Sequence, residues 1–171
     1  LGFTTLSYAS SNASAPLMFQ HQKFTTENKA SLYSTIYNES GFGGTPLRQA
    51  LLNVNNYIKN TKALWYSGNS PLSCRRAYNI IVSDGGWSNG SISFTTNSDG
   101  TAGSTITGKN GQTFKYSTTD AKSYADSTSA TLADIAMEYW KNDIRTDLDN
   151  NLSPVPGDAN TAFWQHIVTH A

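Results

Sequence analysis

The sequence predicts an α/β protein in which a parallel sheet is flanked by helices and carries a β-rich insertion. Strand and helix patterns alternate along the 171 residues, in the order strand, helix, helix, strand, insertion, helix, strand. Such alternation is typical of parallel sheets, because parallel neighbours need a crossover connection that is usually helical. The short apolar, β-branched run from Tyr78 to Val82 has polar residues on both sides. It predicts a buried strand, paired in parallel.

The N-terminal part predicts two strands and a helix. Leu1 to Tyr8 carries β-favouring residues with partial alternation, and a small polar loop separates it from a short apolar run at Leu17 to Phe19. We expect a strand, a turn and a short edge strand there. From Glu27 to Tyr37 the apolar residues fall at helical spacing, and the glycines of Gly41 to Gly44 end that helix.

A second helix is predicted from Pro46 to about Lys59. Thr45 can cap it and Pro46 suits the first helical position, where a missing N–H costs nothing. One stripe of this segment is apolar and predicts the face that packs on the core. Its members are Leu47, Ala50, Leu51, Val54 and Ile58.

The stretch from Trp87 to about Asp126 differs in character, because it is rich in glycine, serine, threonine and asparagine. We interpret it as an insertion of small strands in a single domain that spans residues 1–171. Three dipeptides in it are typical of tight hairpin turns. They are Asn89-Gly90, Asp99-Gly100 and Asn110-Gly111.

The C-terminal part predicts one more helix and one more strand. Thr131 and Asp134 have the spacing of a capping box, and the apolar pattern continues as a helix to Trp140. A polar loop from Asp147 to Asn160 follows, and Phe163 to Val168 predicts the entry to a strand. Because the chain also begins on a predicted strand, we expect it to be a piece of a larger protein.

Composition removes several function classes. Twelve basic and twelve acidic residues balance, and neither sign forms a run, so neither nucleic acid nor an anionic membrane is an expected partner. No apolar run approaches the roughly 18 residues of a membrane span. Charged residues make up only 14% of the chain, which is typical of extracellular bacterial domains.

Cys74 is the sole cysteine, and both a half-buried thiol and a disulfide to a cysteine outside this segment stay open.

Two oxygen-bearing residues stand at the ends of predicted elements. Thr45 lies where a glycine-rich loop meets a helix, and Asp84 follows the strand that ends near Val82. Ligand sites of open parallel sheets lie at the carboxyl ends of strands, so both side chains could reach the same edge. Hard divalent cations prefer oxygen ligands of this kind. Taken singly, a helix cap explains Thr45 better than a metal ligand does, and the alternative for Asp84 is a turn residue after a strand.

Longer blocks carry a family resemblance. The segments GGTPLRQALLNVNNYI and YNIIVSDGGWSN resemble the threonine-bearing loop and the aspartate-ended strand of von Willebrand factor A-like domains. More narrowly, SCRRAYNIIVSDGGW, TLADIAMEYWKNDIRTDLDNNL and AFWQHIVTHA are similar to the N-terminal domain of the PilY-type family of type IV pilus tip adhesins and pilus-biogenesis proteins. Together these blocks span most of the chain.

The resemblance implies a metal-ion-dependent adhesion site. In such a site Thr45 and Asp84 supply two of the three ligand loops around one divalent cation, Mg²⁺, Ca²⁺ or Mn²⁺. The third loop, with the pattern DxSxS, has no match in this sequence. We therefore expect the remaining ligands, and the central strand that carries them, to come from residues upstream of Leu1.

The function implied is adhesion and type IV pilus assembly or twitching motility, without enzymatic turnover. The expected partners are major or minor pilins and a host-surface ligand, and the expected location is the pilus tip or the bacterial surface. The alternative is a structural domain that primes pilus assembly without metal, and a carbohydrate-active enzyme ranks third.

Other candidate sites rest on weaker patterns. Asp147, Asp149 and Asn151 stand at alternate positions, as at the start of an EF-hand, but the glycine of that loop is absent and Asp158 replaces its closing glutamate. Asp134 and Glu138 share a helix face and could mimic a glycosidase pair, although a cap already explains Asp134. The aromatic residues of the C-terminal third are expected to pack in a core. They are Tyr139, Trp140, Phe163 and Trp164.

Overall fold

Short helices and strands, joined by long loops, make up the structure. The computed structural model describes residues 1–41, 43–88, 90–119, 125–153, 157 and 160–171. Its helices are α1 (Leu6–Ser11), α2 (Thr26–Asn38), α3 (Leu47–Asn60), α4 (Lys62–Trp65) and α5 (Leu132–Lys141). Its strands are β1 (Tyr66–Ser67), β2 (Ser70–Pro71), β3 (Ala77–Ile80), β4 (Ile106–Thr107), β5 (Thr113–Phe114) and β6 (Ile167–His170).

The chain divides into two compact units. Unit 1 consists of Leu1–Ile58 and Asp84–Ile92, and unit 2 consists of Lys59–Ser83 and Ser93–Ala171. The prediction of one partial domain over residues 1–171, with the insertion inside it, stays a prediction. So does the von Willebrand factor A-like form of the sheet.

The N-terminal strand prediction is wrong for most of its length. Phe3 forms a single antiparallel bridge with Phe19, through two N–H···O bonds of 3.0 Å, and this is the extent of the pairing between the two predicted strands. From Leu6 the backbone is helical instead. The reason is local, because the hydroxyl of Thr5 accepts a hydrogen bond from the amide of Tyr8 and so caps α1.

The two helices predicted for this unit are confirmed within a residue or two at each end. The hydroxyl of Thr25 caps α2 by accepting from the amide of Asn28, at 3.3 Å. The buried residues of α3 lie on the predicted stripe and beside it, and they include Asn53. The side-chain amide of Asn53 donates to the carbonyls of Ala9 and Ser10, at 2.8 and 3.1 Å. This buried polar group therefore ties α3 to the last turn of α1.

In unit 2, β3 and β6 pair in parallel, as predicted. Ala77 lies opposite Ile167, and Ile80 lies opposite His170. The burial predicted for this strand is wrong, because Ile80 is 78% exposed and Val82 is 85% exposed. The sheet has two strands within the described residues. A strand paired along one edge, with neighbours on one face, leaves alternate side chains in solvent.

The last strand begins later than predicted. Phe163 and Gln165 use their carbonyls to accept from the loop amides of Leu152 and Ile144, at 2.9 and 3.0 Å, rather than from a neighbouring strand. The strand β6 therefore starts only at Ile167. The helix α5 packs against β6.

Of the predicted hairpins, the one at Asn110-Gly111 is confirmed. It joins β4 and β5, which pair in antiparallel register, and Gly111 has φ +80°, a conformation that glycine adopts without strain. The hairpin predicted at Asp99-Gly100 is wrong. Asp99 is buried, because its amide and that of Ser98 donate to the carboxylate of Asp134 at the start of α5. The third predicted turn contains Asn89, which lies outside the described residues.

The aromatic residues of the C-terminal third form a core, as predicted. Trp164 is 2% exposed and stacks on Phe114, with ring centroids 4.4 Å apart. Trp140 meets Trp164 edge to face at 5.7 Å, and its carbonyl accepts from the indole N–H of Trp164. The same side chains therefore do not offer an open stacking platform for a sugar.

None of the helices in the described ranges has both the length and the apolar character that crossing a bilayer requires. The thiol of Cys74 is exposed and forms no disulfide within the chain. The interpretation as a half-buried side chain is therefore wrong, and a disulfide to a cysteine outside this segment stays open.

Candidate metal centre

Thr45 lies just before α3, on a loop that the helix helps to fix. The helix begins at Leu47, one residue later than predicted, and the carbonyl of Pro46 accepts the first helical hydrogen bond, from Ala50, at 3.0 Å. The carbonyl of Thr45 accepts from the amide of Leu47 at 2.9 Å. Thr45 is half-buried, so its side chain is held at the surface of unit 1 by backbone contacts on its C-terminal side.

Asp84 lies in the loop that follows β3 and is exposed. The strand ends at Ile80, and Asp84 is the first residue of the segment that returns to unit 1. The next residue, Gly85, has φ +95°, which turns the chain sharply after the aspartate. The carboxylate is therefore presented at a bend, open to solvent.

A backbone hydrogen bond joins the two candidate loops. The amide of Ser88 donates to the carbonyl of Thr45 at 2.9 Å, so this carbonyl accepts from both Leu47 and Ser88. The loops also approach closely at Gly44, where a Cβ atom would lie 3.0 Å from the hydroxyl of Ser88. The loop that bears Thr45 and the loop that begins at Asp84 are therefore neighbours in unit 1.

Arg48 holds the second loop from the first turn of α3. One guanidinium nitrogen donates to the carbonyl of Gly90 at 2.8 Å, and the guanidinium lies over the ring of Trp87, 5.0 Å from its centroid. Trp87 remains 50% exposed. A hydrogen bond and a cation–π contact from one side chain restrict the loop on both sides of Ser88.

The chemistry of this donor set suits a hard cation. Thr45 offers a neutral hydroxyl and Asp84 an anionic carboxylate, both oxygen ligands of the kind that Mg²⁺, Ca²⁺ and Mn²⁺ take. Within the described residues there is no group of three or more histidine, cysteine or acidic side chains placed to hold a metal. Thr45 and Asp84 would therefore be part of a ligand set, and their role as ligands stays a prediction.

The acidic residues near the end of α5 already have partners. The carboxylate of Asp147 accepts two hydrogen bonds from Arg145, at 2.7 and 2.5 Å, and one from Tyr66 at 2.9 Å. The hydrogen bonds from Arg145 lower the pKa of Asp147 to about 2 despite its partial burial. Asp149 pairs with Lys109 at 2.8 Å. A calcium loop at this place would have to displace both cations, and its last expected ligand, Asp158, lies outside the described residues.

Asp134 and Glu138 act in a buried polar network around α5. Thr131 and Asp134 form the predicted capping box, with side-chain to backbone bonds of 2.9 and 3.0 Å. Burial raises the pKa of Asp134, but the hydrogen bonds from Thr131, Asp99 and Ser98 outweigh it, so the net shift is downward. Glu138 accepts from the hydroxyl of Ser98 at 2.7 Å. Hence the carboxylates are bound to neighbouring backbone and hydroxyl groups rather than facing each other across a glycosidic bond.

The two C-terminal histidines have different surroundings. His166 is 1% exposed, and its ring nitrogens contact the carbonyl of Trp164 and the side-chain amide of Asn160, both at 2.8 Å. His170 stacks on Tyr78. They do not form a metal-binding pair.

Sequence reasoning missed the residues that organise the candidate site. Ser88 and Arg48 join the two loops, yet an isolated serine amide or a helical arginine carries no recognisable pattern in one sequence. The segment GGTPLR does place Arg48 in the first turn of α3. Only the tertiary structure shows which loop it reaches.

Comparison with curated proteins relates the chain to the factors that build type IV pili. It is 35% identical over 168 residues to the type IV pilus biogenesis factor PilY1 of Pseudomonas aeruginosa strain PAK, and 34% identical over 168 residues to that of strain PAO1. The PilY1 protein of strain UCBPP-PA14 is 32% identical over 162 residues. These matches support the PilY-type family relation that the sequence blocks indicated.

The matches cover 86% of this chain but only 14% of the PilY1 proteins of strains PAK and PAO1. The chain thus corresponds to a small part of its relatives. No protein-family model matches the chain. No solved structure matches it either.

Proposed function

We propose that this chain is part of a type IV pilus adhesion and assembly module that binds its partner through a divalent metal held by Thr45 and Asp84. The supporting observation is the hydrogen bond between Ser88 and Thr45, which keeps the two ligand-bearing loops adjacent in unit 1. The relation to PilY1 proteins supports the pilus context and a location at the pilus or cell surface. The sheet of a von Willebrand factor A-like domain is the fold we propose for the module.

The roles of the two ligands follow from their charge. A single carboxylate from Asp84 leaves a divalent cation incompletely neutralised, and the hydroxyl of Thr45 adds a ligand without adding charge. Such a cation keeps affinity for a further oxygen ligand, and a carboxylate of a partner protein can supply it. Trp87, exposed beside this loop and held by Arg48, offers the apolar contact that commonly anchors protein interfaces.

The proposal is tested by calorimetric titration with Mg²⁺, Mn²⁺ and Ca²⁺. The titration uses this chain and a longer polypeptide that also contains a DxSxS loop. We expect the longer protein to bind at least one cation, and we expect Asp84→Asn to weaken binding at least tenfold. Asp149→Asn is the matched control, since it removes an exposed carboxylate of unit 2. Absence of binding by the longer protein, or equal affinity in Asp84→Asn, would disprove the metal site.

An assay of pilus function distinguishes the metal-dependent module from a structural domain that works without metal. Bacteria that carry Thr45→Ala and Asp84→Asn together in the full-length protein are scored for surface pili and twitching. We expect fewer pili or reduced twitching, with normal levels of the protein. Wild-type behaviour of this double variant would favour a priming domain that works without metal.

A further inference from the structure

Unit 2 contains a polar cavity that is separate from the candidate metal residues. It has a volume of about 380 Å³ and lies between the β4 segment and the residues at and after the end of α5. This volume is at the lower end of the roughly 300–1,000 Å³ that is usual for small-ligand sites. Ser104, Thr105 and Thr107 line one side, with Ile106 between them. The cavity is thus of a size for one small molecule.

The opposite side of the cavity carries two fixed carboxylates. The side-chain amide of Asn142 donates to one oxygen of Glu138 at 3.0 Å, and the hydroxyl of Ser98 donates to the other at 2.7 Å. Asp143 accepts from the amide of Arg145 at 2.8 Å and from the side-chain amide of Asn150 at 3.1 Å. Each carboxylate oxygen keeps a second acceptor site, so both groups are oriented before any ligand arrives.

Asn150 connects the two sides of the cavity. Its side-chain nitrogen donates to the carbonyl of Thr107 as well as to Asp143, both at 3.1 Å. Its side-chain oxygen is buried and has no hydrogen-bond partner within the described structure. That oxygen therefore lies within the wall of the cavity, and the two bonds from the side-chain nitrogen are what hold the two sides together.

The chemistry of the lining limits the ligand class. Two carboxylates repel an anion, and they also disfavour a ligand that is apolar throughout, because such a ligand would desolvate them without offering hydrogen bonds. Burial already raises the pKa of Asp143. Hydroxyl groups of Ser104, Thr105 and Thr146 can both donate and accept, whereas the carboxylates only accept. A ligand with several hydroxyl groups matches this mixture, since each hydroxyl can donate to a carboxylate and accept from a serine or threonine.

We propose that this cavity binds one residue of a neutral sugar, and so gives the chain a carbohydrate contact that needs no metal. The carboxylates and the serine and threonine hydroxyls bind the sugar hydroxyls. No bond is made or broken. The site lies in unit 2, so it stands or falls independently of Thr45 and Asp84.

The test is a nuclear magnetic resonance titration of the ¹⁵N-labelled 171-residue chain. The probes are the methyl glycosides of galactose, mannose and N-acetylglucosamine, added to about 50 mM in the presence of EDTA. We expect saturable shifts for amides of residues 104–107 and 142–150 with at least one glycoside. Spermidine and calcium chloride, each titrated separately without EDTA, test whether the cavity instead takes a cation.

Variants locate the site. Asp143→Asn keeps the shape of the side chain and removes an acceptor, and Thr146→Val removes a hydroxyl from the exposed rim. We expect each to weaken sugar binding at least fivefold, with an otherwise unchanged spectrum, while Asp149→Asn binds like the wild type. The proposal is overturned if no glycoside shifts these resonances, if only spermidine or calcium does, or if Asp143→Asn binds the sugar as tightly as the wild type.

Discussion

The amide of Ser88 donates a hydrogen bond to the carbonyl of Thr45, at 2.9 Å, and joins a loop that follows β3 to the loop that precedes α3. This contact is made by backbone atoms, so it does not depend on either side chain. The two loops are therefore adjacent in the chain without any ligand.

We expect Arg48→Met to loosen the loop that begins at Asp84. The change removes the hydrogen bond to Gly90 and the contact with Trp87, while it keeps most of the length of the side chain. Loss of a charged hydrogen bond of this kind corresponds to about tenfold faster amide exchange. Hydrogen exchange of residues 84–92, followed by mass spectrometry, measures this. Arg75→Met is the control, because Arg75 donates to the carbonyl of Leu64 in unit 2. Equal exchange rates of residues 84–92 in the two variants would contradict the role given to Arg48.

Replacing Lys141 by methionine should destabilise the chain strongly. Lys141 is 3% exposed, and its ammonium donates to the carbonyls of Ser98 and Thr101 at 2.6 and 2.9 Å and lies 5.5 Å from the centroid of the Tyr116 ring. Without it these acceptors are buried and unpaired, at a cost of about 3 kcal/mol. Urea denaturation measures the free energy of unfolding.

Lys109→Met provides the comparison for that experiment. Lys109 pairs with Asp149 at the surface, with more than half of each side chain exposed, so its loss should cost much less stability than the loss of Lys141. Similar losses in the two lysine variants would show that the network around Lys141 does not stabilise unit 2.

The two residues of the capping box of α5 should differ in how much they stabilise the chain. Thr131→Ala removes the bond from the amide of Asp134 to the threonine hydroxyl and should cost about 1 kcal/mol. Asp134→Ala should cost more, because the same carboxylate also accepts from the amides of Ser98 and Asp99. Thermal and urea unfolding of both variants check the order. An equal loss in the two would mean that the contacts to Ser98 and Asp99 contribute nothing.

Asp147→Asn should change how stability depends on pH. The hydrogen bonds from Arg145 hold the pKa of Asp147 at about 2 in the folded chain, below the roughly 3.9 of an unfolded chain. The contribution of the ionised group is therefore complete above about pH 4 and is lost as the pH falls towards 2. Since the side chain is half exposed, we expect no more than about 1 kcal/mol.

Urea midpoints of the wild type and of Asp147→Asn between pH 2 and pH 6 measure this contribution. Tyr66→Phe should flatten the dependence of stability on pH less than Asp147→Asn does, because it removes only one of the three hydrogen bonds to the carboxylate. If the stability of Asp147→Asn depends on pH as that of the wild type does, ionised Asp147 does not stabilise the chain.

The exposure of the residues just after β3 can be checked by urea denaturation. Val82→Thr should change the free energy of unfolding by no more than about 0.5 kcal/mol, because the side chain is 85% exposed. Ile167→Thr, in the paired strand, should cost about 2 kcal/mol or more, since Ile167 is fully buried and threonine brings a hydroxyl into the core. A large loss at Val82 would show that another part of the chain covers it in solution.

Local signals predicted three helices, α2, α3 and α5, and one turn, and they failed where residues distant in sequence determine the structure. The stripe of α3, the capping box of Thr131 and the turn at Asn110-Gly111 depend on neighbours in sequence, and all three are confirmed. Asp99-Gly100 has the composition of a hairpin, yet Asp134 binds the amide of Asp99 and holds the segment against α5. No pattern around Asp99 records that partner.

For the candidate metal site, too, the sequence predicts single residues but not the contacts between distant segments. The ends of predicted elements and the family blocks indicate Thr45 and Asp84. The contact that makes their loops adjacent is a hydrogen bond between backbone atoms, so the residue types at that place do not predict it. The polar cavity escaped prediction for a related reason. Its lining comes from the segment 104–107 and from residues after Glu138, and single serines and threonines in so polar a chain do not stand out.

The contact of Asn53 with the last turn of α1 has a consequence for the order of folding in unit 1. A helix of six residues is far below the roughly 12–15 that an isolated helix needs in water. The carbonyls of Ala9 and Ser10 find their donor only once α3 has formed and has brought Asn53 to them. We therefore expect α1 to fold last in this unit and to open first, with α3 as the template on which it assembles.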